Sequence, residues 1–362
     1  MSCTIVIGGQ YGSEGKGKVT ALLASTCSEP SVVRCGGPNS GHSVWNEDRQ
    51  IILRQLPTAA LHPASTLLIG AGCALDEELL IQEIVDFGLP QNRVVVDPRA
   101  VLIEPLDRDG EMSDVTRIAS TASGTNHAWI KRMRRRPDAK LAFHSTRLPA
   151  VVRIETVARL LHQRLEHGGD VIIEGTQGFG LSLLHGEAYP FATARDTSAS
   201  GFCSEVGLSP RHVDHIVMVL RTFPIRVGGN SGPLPNEIDW AEVKKIAGAP
   251  IEEPEFTSVT HRMRRVAHFD CSAVQRASQY NRPTSLALMG VDRLDHLNRG
   301  VLDPRDLTHA AIEFISELEC ATDTPVEWVG TGFRTADAIR MKHITSPSKR
   351  SLDQICPSIL LA

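Results

Sequence analysis

The chain has 362 residues, a formal net charge of −4 and 41% hydrophobic residues. That balance excludes a general polyanion-binding surface, and no apolar run approaches membrane-spanning length, so neither direct nucleic-acid binding nor a membrane-embedded protein is expected. The eight cysteines are scattered without a C-x-x-C pair and the N-terminus carries no signal-peptide pattern, so a cytoplasmic protein with reduced core thiols and no zinc site is expected, its core large enough for one big α/β domain or two smaller ones.

In chain order, the apolar run 4–7 reads as a buried strand. It enters Gly8-Gly9-Gln10-Tyr11-Gly12-Ser13-Glu14-Gly15-Lys16-Gly17-Lys18, and 19–24 reads as the first turns of a helix. Strand, glycine loop and helix together hold phosphate: glycines let the backbone approach, N–H groups point at the anion, and the helix N-terminus adds positive charge. Gly12 to Lys18 fits G-x-x-x-x-G-K, yet Val19 stands where a Walker loop has a Mg²⁺-binding hydroxyl, so this is a phosphate loop of another type. The plainer alternative is a glycine-rich turn with two solvated lysines. Further strands are expected at 32–34, 66–69, 93–96, 171–174, 215–220, 285–289 and 326–329, and helices at 77–87, 155–166 and 307–318. Apolar strands alternating with helices predict an α/β fold with a mostly parallel sheet, ligands sitting at the carboxyl ends of its strands.

Several polar stretches follow strands. His42 closes the loop Gly36-Gly37-Pro38-Asn39-Ser40-Gly41-His42-Ser43, where it suits acid chemistry or simply faces solvent. Arg132, Arg134, Arg135 and Arg136 are a solvated face or a phosphate-binding fork. The stretch from Thr257 to Arg265 joins hydroxyls to guanidiniums, the groups needed to clamp a small dicarboxylate.

Taken together these motifs resemble the adenylosuccinate synthetase family. Its G-x-Q-W-G-D-E-G-K-G-K loop is matched by Gly8 to Lys18, with Tyr11 and Ser13 as departures, and its G-G-x-N-A-G-H by Gly36 to His42. Glu174-Gly175-Thr176-Gln177-Gly178 resembles E-G-A-Q-G, and the segment from His185 to Thr193 resembles H-G-T-Y-P-Y-V-T. Ile225-Arg226-Val227-Gly228 with Gly232-Pro233-Leu234-Pro235-Asn236-Glu237 resembles T-R-V-G-x-G-P-F-P-T-E, and the run from Val259 to Arg265 resembles T-T-G-R-R-R-R. The resemblance implies one catalytic domain over 1–362, with a large, mostly parallel central sheet flanked by helices and related to P-loop NTPases. It also implies a Mg²⁺-dependent ligase that phosphorylates O6 of a purine nucleotide and then displaces the phosphate with the amine of L-aspartate.

The resemblance also implies roles. Catalysis falls to Ser13, Lys16, His42 and Gln177. The purine nucleotide is held by Ser13, Asn39, Thr121, Gln177, Thr193 and Val227, with Arg135 reaching across a homodimer. Aspartate meets Val259, Thr260, Arg262 and Arg264. The donor triphosphate lies against Gly12, Glu14, Gly15, Lys16, Gly17, Lys18, Gly41, His42, Ser43, Asp292, Gly330, Thr331 and Gly332. The Gly41 carbonyl, with Ser13 at the family's other ligating position, faces Mg²⁺. Two departures redirect the substrates. Ser13 replaces the family's catalytic Asp, which takes the proton from purine N1; a serine leaves room for the C2 amino group of guanine, as in the phage-type branch that acts on dGMP to make N6-succino-2-amino-2'-deoxyadenylate. Gly290 replaces the lysine of the family's T-K-x-D segment while Asp292 remains, which makes ATP or dATP the expected donor, with GTP possible. The nearest alternative is an ordinary adenylosuccinate synthetase using IMP and GTP; from another class, a catalytically silent nucleotide-binding protein.

Overall fold

The computed structural model describes residues 2–46, 48–248, 254–258 and 261–341. Ten strands form the central sheet: β1 Cys3–Gly8, β2 Ser31–Arg34, β3 Thr66–Ile69, β4 Val94–Val96, β5 Arg153–Ile154, β6 Val171–Glu174, β7 His215–Arg221, β8 Ser285–Met289, β9 Val326–Gly330 and β10 Ala338–Arg340. Their spatial order is β10-β9-β8-β7-β1-β6-β2-β3-β4-β5, and every pairing is parallel except that of β9 with β10. The mostly parallel sheet expected from the alternation is therefore present.

Continuous apolar strands are what a sheet covered on both faces requires. In β1, Ile5 and Ile7 enter one core cluster while Val6 enters the other. β7 does the same, with Met218 and Leu220 on one face and Val217 and Val219 on the opposite one. The first face is closed by helices Val157–Glu166, Ala199–Val206, Cys271–Asn281 and His309–Thr322; the second by α1, Lys16–Ser25, and helix Glu77–Asp86.

Parallel register puts the motif-bearing strand ends side by side. Val6 stands opposite Glu174, Glu174 opposite Arg34, Gly8 opposite Val219, Arg221 opposite Met289 and Met289 opposite Gly330. The chain runs to one side of β1 through β6 and to the other from β7 onward, so the phosphate loop leaves the sheet at its switch point, where open α/β sheets bind ligands.

Some boundaries differ from expectation. The helix expected over 155–166 begins at Val157, because Asp97 at the end of β4 accepts the Val157 N–H (3.0 Å) and caps the helix from a distance. The helix expected from 307 begins at His309, after Thr308 donates its N–H to Asn298 (2.9 Å). The antiparallel hairpin His42–Asn46/Arg49–Leu53 and helices Thr125–Met133 and Cys271–Asn281 were not expected; the last is polar along much of its length and relies on Asp270, which accepts the Ala273 N–H (3.1 Å).

Candidate active site

The phosphate loop turns through left-handed backbone at Gly12 (φ 91°), Ser13 (φ 58°) and Gly15 (φ 106°). Its interior is taken up by the loop's own Glu14, whose Oε1 accepts N–H bonds from Gly12 (2.8 Å) and Gln10 (3.2 Å). Those two amides therefore serve a carboxylate of the chain, which corrects the simple picture of every loop N–H aimed at an anion. Nor are the lysines solvated. Lys16 is 3% exposed and donates to Glu14 Oε2 (2.6 Å) and to the Gln177 carbonyl. Lys18, also buried, donates to the carbonyls of Gly332 (2.9 Å) and Asp337 (2.6 Å), and burial pushes its ammonium down to about 8.

His42 begins the hairpin, directly over α1: a Cβ on Gly17 would lie 3.0 Å from His42 Cβ and 3.1 Å from the Ser43 carbonyl. Its Nδ1 meets Glu174 Oε1, which also accepts from Arg34 (2.9 Å), while Glu174 Oε2 accepts from the N–H (2.8 Å) and hydroxyl (3.1 Å) of Thr58. Burial, then the Arg34 charge, pushes the imidazole down to about 4. Burial alone would raise the Glu174 carboxyl, but Arg34 and then His42 outweigh it and hold it below its usual value. At neutral pH the histidine is therefore uncharged, its Nδ1–H is committed to Glu174, and Nε2 is the atom left for chemistry.

Other expected residues gather around this pair. Gln177 takes left-handed backbone (φ 59°), and its Oε1 lies 3.8 Å from where a Gly12 Cβ would stand. Asn39 and Thr193 are half-buried on neighbouring loops, Thr193 donating its N–H to Leu181 (2.8 Å). Arg226 ties three loops together: its guanidinium lies over the Tyr11 ring (4.9 Å) and donates to the carbonyls of Phe191 (2.9 Å) and Pro233 (2.8 Å). Beyond it, the turn after Val227 reaches the Arg117 carbonyl through Asn230 (2.8 Å), and Gly229 approaches Arg262. Thr121 and Arg135 stand outside the phosphate-loop cluster, either side of helix Thr125–Met133; Arg135 is exposed with φ 54°. The basic run divides, with Arg132 donating to carbonyls of Ala71 and Arg99 while Arg136 pairs with Asp138.

Residues 254–258 and 261–265 reach the same end of the sheet, where Arg264 stands by Glu255 and Ser258 rests against Gly41: a Cβ on Gly41 would lie 2.6 Å from its hydroxyl. Val259 and Thr260, expected to meet aspartate, lie outside the described residues. On the donor side, Gly290 takes left-handed backbone (φ 83°) and starts the turn carrying Asp292, whose carboxyl is raised by burial. Thr331 is buried, its hydroxyl bonded to the Val301 carbonyl (2.9 Å).

Arg34, Glu174, Arg221, Arg226, Glu255 and Arg293 were not singled out as site residues. Their signal is charge within apolar surroundings: Arg34, Glu174 and Arg221 each end a strand directly after a run of apolar residues.

A buried histidine bonded to a carboxylate beside a glycine loop, at the switch point of a mostly parallel sheet, is an arrangement suited to a nucleotide-binding enzyme. The sequence profile described as adenylosuccinate synthetase matches residues 5–142 and 139–300. The adenylosuccinate synthetase of Methanococcus aeolicus is 36% identical over 340 residues, 92% of this chain and 97% of its own. That of Methanocaldococcus jannaschii is 36% identical over 351 residues, 95% and 98% of the two chains. The chain belongs to the adenylosuccinate synthetase family and is a C–N bond-forming ligase. Among solved structures, fully ligated adenylosuccinate synthetase from Plasmodium falciparum shares the fold at TM-score 0.82 and 18% identity, over 94% of this chain and 99% of that one. Succinoaminodeoxyadenylate synthetase of cyanophage S-2L, bound to dGMP and to dATP as an energy donor, matches at TM-score 0.78 and 28% identity, over 94% and 95%.

Proposed function

We propose that the protein joins L-aspartate to C6 of dGMP, giving N6-succino-2-amino-2'-deoxyadenylate, with ATP or dATP as phosphoryl donor and a homodimer as the working form. The observation that carries the reading is Ser13 at the apex of the phosphate loop. It is exposed and left-handed (φ 58°), a backbone that aspartate tolerates better than serine does, so local geometry gives no reason for losing a carboxylate there. What the side chain faces gives one: guanine carries a C2 amino group beside N1, and a hydroxyl accepts its hydrogen bond where a carboxylate crowds it. The cyanophage enzyme's dGMP and dATP support the same substrates. Gly290 supports an adenine donor, since it lacks the side chain that would pack on guanine.

In this reading purine N1 gives up its proton to water, the γ-phosphoryl group passes to O6 and the nucleoside diphosphate departs. The aspartate amine then attacks C6, the C6–O bond breaks, and inorganic phosphate leaves. Lys16 and α1 neutralise charge on the transferring group, and His42, its Nδ1–H held by the Glu174 carboxylate, takes up a proton at Nε2 when the anionic triphosphate enters and donates it in a hydrogen bond to that phosphoryl. Among the described residues no three His, Cys, Asp or Glu side chains form a metal cluster. The Gly41 carbonyl and the Ser13 hydroxyl are hard oxygen donors of the kind Mg²⁺ takes, and they are the residues that would hold the ion. When bound there, the ion neutralises developing phosphate charge.

A second reading, IMP with GTP, is favoured by the archaeal adenylosuccinate synthetases, whose identity to this chain exceeds that of the cyanophage enzyme. The experiment that separates them is kcat/KM for dGMP, dIMP and IMP at fixed aspartate with ATP, dATP and GTP, in wild type and Ser13→Asp. The dGMP reading expects dGMP preferred by wild type and the dIMP-to-dGMP ratio raised by Ser13→Asp. Preference for IMP or dIMP, or an unmoved ratio, favours the second reading.

A further inference from the structure

We propose that Glu255 is a positioning residue that ties the dicarboxylate-binding segment to the phosphate loop and to the donor-base turn, so that binding at one strengthens binding at the other. The inference rests on the ligase reaction of the family and not on the choice of purine.

Glu255 lies at the root of segment 254–265, opposite Arg264, which donates its N–H to the Glu255 carbonyl (2.8 Å). Between them the segment is pinned by Thr257, whose N–H reaches the Arg262 carbonyl (2.9 Å) and whose hydroxyl accepts from the Arg262 N–H (2.9 Å). The carboxylate faces three guanidiniums. Oε1 accepts from Arg221 Nη2 (2.6 Å) and is ion-paired with Arg293 Nη2 (2.6 Å), Oε2 accepts from Arg221 Nη1 (3.1 Å), and Arg264 stands at 3.8 Å.

Each of two partners belongs to another part of the site. Arg221 ends β7; it exchanges backbone bonds with the Gln10 amide (both 3.0 Å) and donates to the Ser13 carbonyl (3.2 Å), so it is locked to the phosphate loop. Arg293 follows Asp292 and is stacked between Trp240 (5.2 Å) and Phe333 (5.5 Å), so it is locked to the donor-base turn and to the loop after Gly332. Trp240 closes the circuit by donating Nε1–H to the Arg264 carbonyl (2.8 Å). One carboxylate against three guanidiniums leaves two positive charges uncompensated within the cluster. Arg221 Nε and Arg293 Nη1 are moreover buried with no hydrogen-bond partner among the described residues, and both side chains belong to residues more than nine-tenths buried. Such a cluster favours an arriving anion, and Glu255 holds the three guanidiniums in one arrangement until it arrives.

The test uses Glu255→Gln, which keeps shape and loses charge, beside Glu255→Asp, which keeps charge. Binding of a non-hydrolysable analogue of whichever triphosphate, ATP, dATP or GTP, the steady-state assay prefers is titrated calorimetrically with and without saturating aspartate and the preferred purine monophosphate; this arm needs no turnover. Wild type should bind the analogue roughly 5-fold or more tightly when aspartate is present, Glu255→Gln should lose that gain, and Glu255→Asp should recover part of it. In steady state, KM for aspartate and for the donor should rise together in Glu255→Gln while KM for the monophosphate stays put. An aspartate effect on donor binding that is absent in wild type, or that survives Glu255→Gln, overturns the proposal, as does a variant that only lowers the melting temperature.

Discussion

At the residue scale the decisive side chains are buried charges whose value depends on their partners. His42 titrates near about 4 in the folded chain against 6.5 when unperturbed. Between those values the unfolded chain holds a proton that the folded one lacks, so this contribution to stability is full above about pH 6.5 and is lost as pH falls towards 4. Urea midpoints measured across that range should fall in wild type and fall less in His42→Asn, whose amide still donates to Glu174 but does not titrate; equal slopes would remove His42 as the cause. The same variant should lose roughly 10²–10⁴-fold in turnover while still binding nucleotide. Near-normal turnover by folded protein would make His42 a loop residue only. Lys18, lowered to about 8 by burial, loses its charge as pH passes that value, so KM for the triphosphate should rise above about pH 8 and Lys18→Arg should remove the rise. A flat profile in wild type would place Lys18 away from the phosphates.

At the element scale the loop between β1 and α1 sets the geometry. Gly15 caps α1 in left-handed backbone at φ 106°, and a Cβ there would stand 3.1 Å from the Met289 side chain. Met289 can shift, so the backbone conformation carries most of the cost. Gly15→Ala should cost about 1–3 kcal/mol, read as a lower urea midpoint, and should weaken donor binding; an unchanged midpoint would mean that the loop relaxes freely. This loop was legible because glycine spacing is a local signal. The Glu14 carboxylate filling it was not, because nothing in the spacing distinguishes an acidic residue that faces inward from one that faces solvent. Likewise the strands were legible as apolar runs, whereas the start of helix Val157–Glu166 was hidden, since its cap, Asp97, lies 60 residues away in the chain.

At the scale of the whole molecule the proposed homodimer makes a sharp prediction about Arg135. It is exposed at the far end of helix Thr125–Met133, away from the cluster around its own phosphate loop. If it serves the partner's nucleotide, mixing inactive Arg135→Ala subunits with inactive His42→Asn subunits should restore activity, since one site of each mixed dimer regains both residues. No recovery after confirmed subunit exchange would place Arg135 in its own site or in none.

The sequence by itself determined the alternation of buried strands and helices, the glycine loops at the strand ends and the order of motifs that marks the family. All of these are local: they depend on side-chain period, glycine conformation and neighbour spacing. It also displayed Ser13 and Gly290, because a departure from a motif is visible wherever the motif is. Only the tertiary structure decided which charges meet. Arg34 and Glu174 are 140 residues apart and His42 and Glu174 are 132 apart, yet parallel register sets Arg34 beside Glu174 and the hairpin that His42 begins brings the imidazole to the same carboxylate, in a buried, low-dielectric place. Glu255 reaches Arg221 across 34 residues without any strand pairing, by a side-chain contact at the end of β7. A charge in a sequence has no partner until the sheet has an order, and that order follows from burying both faces of the strands at once.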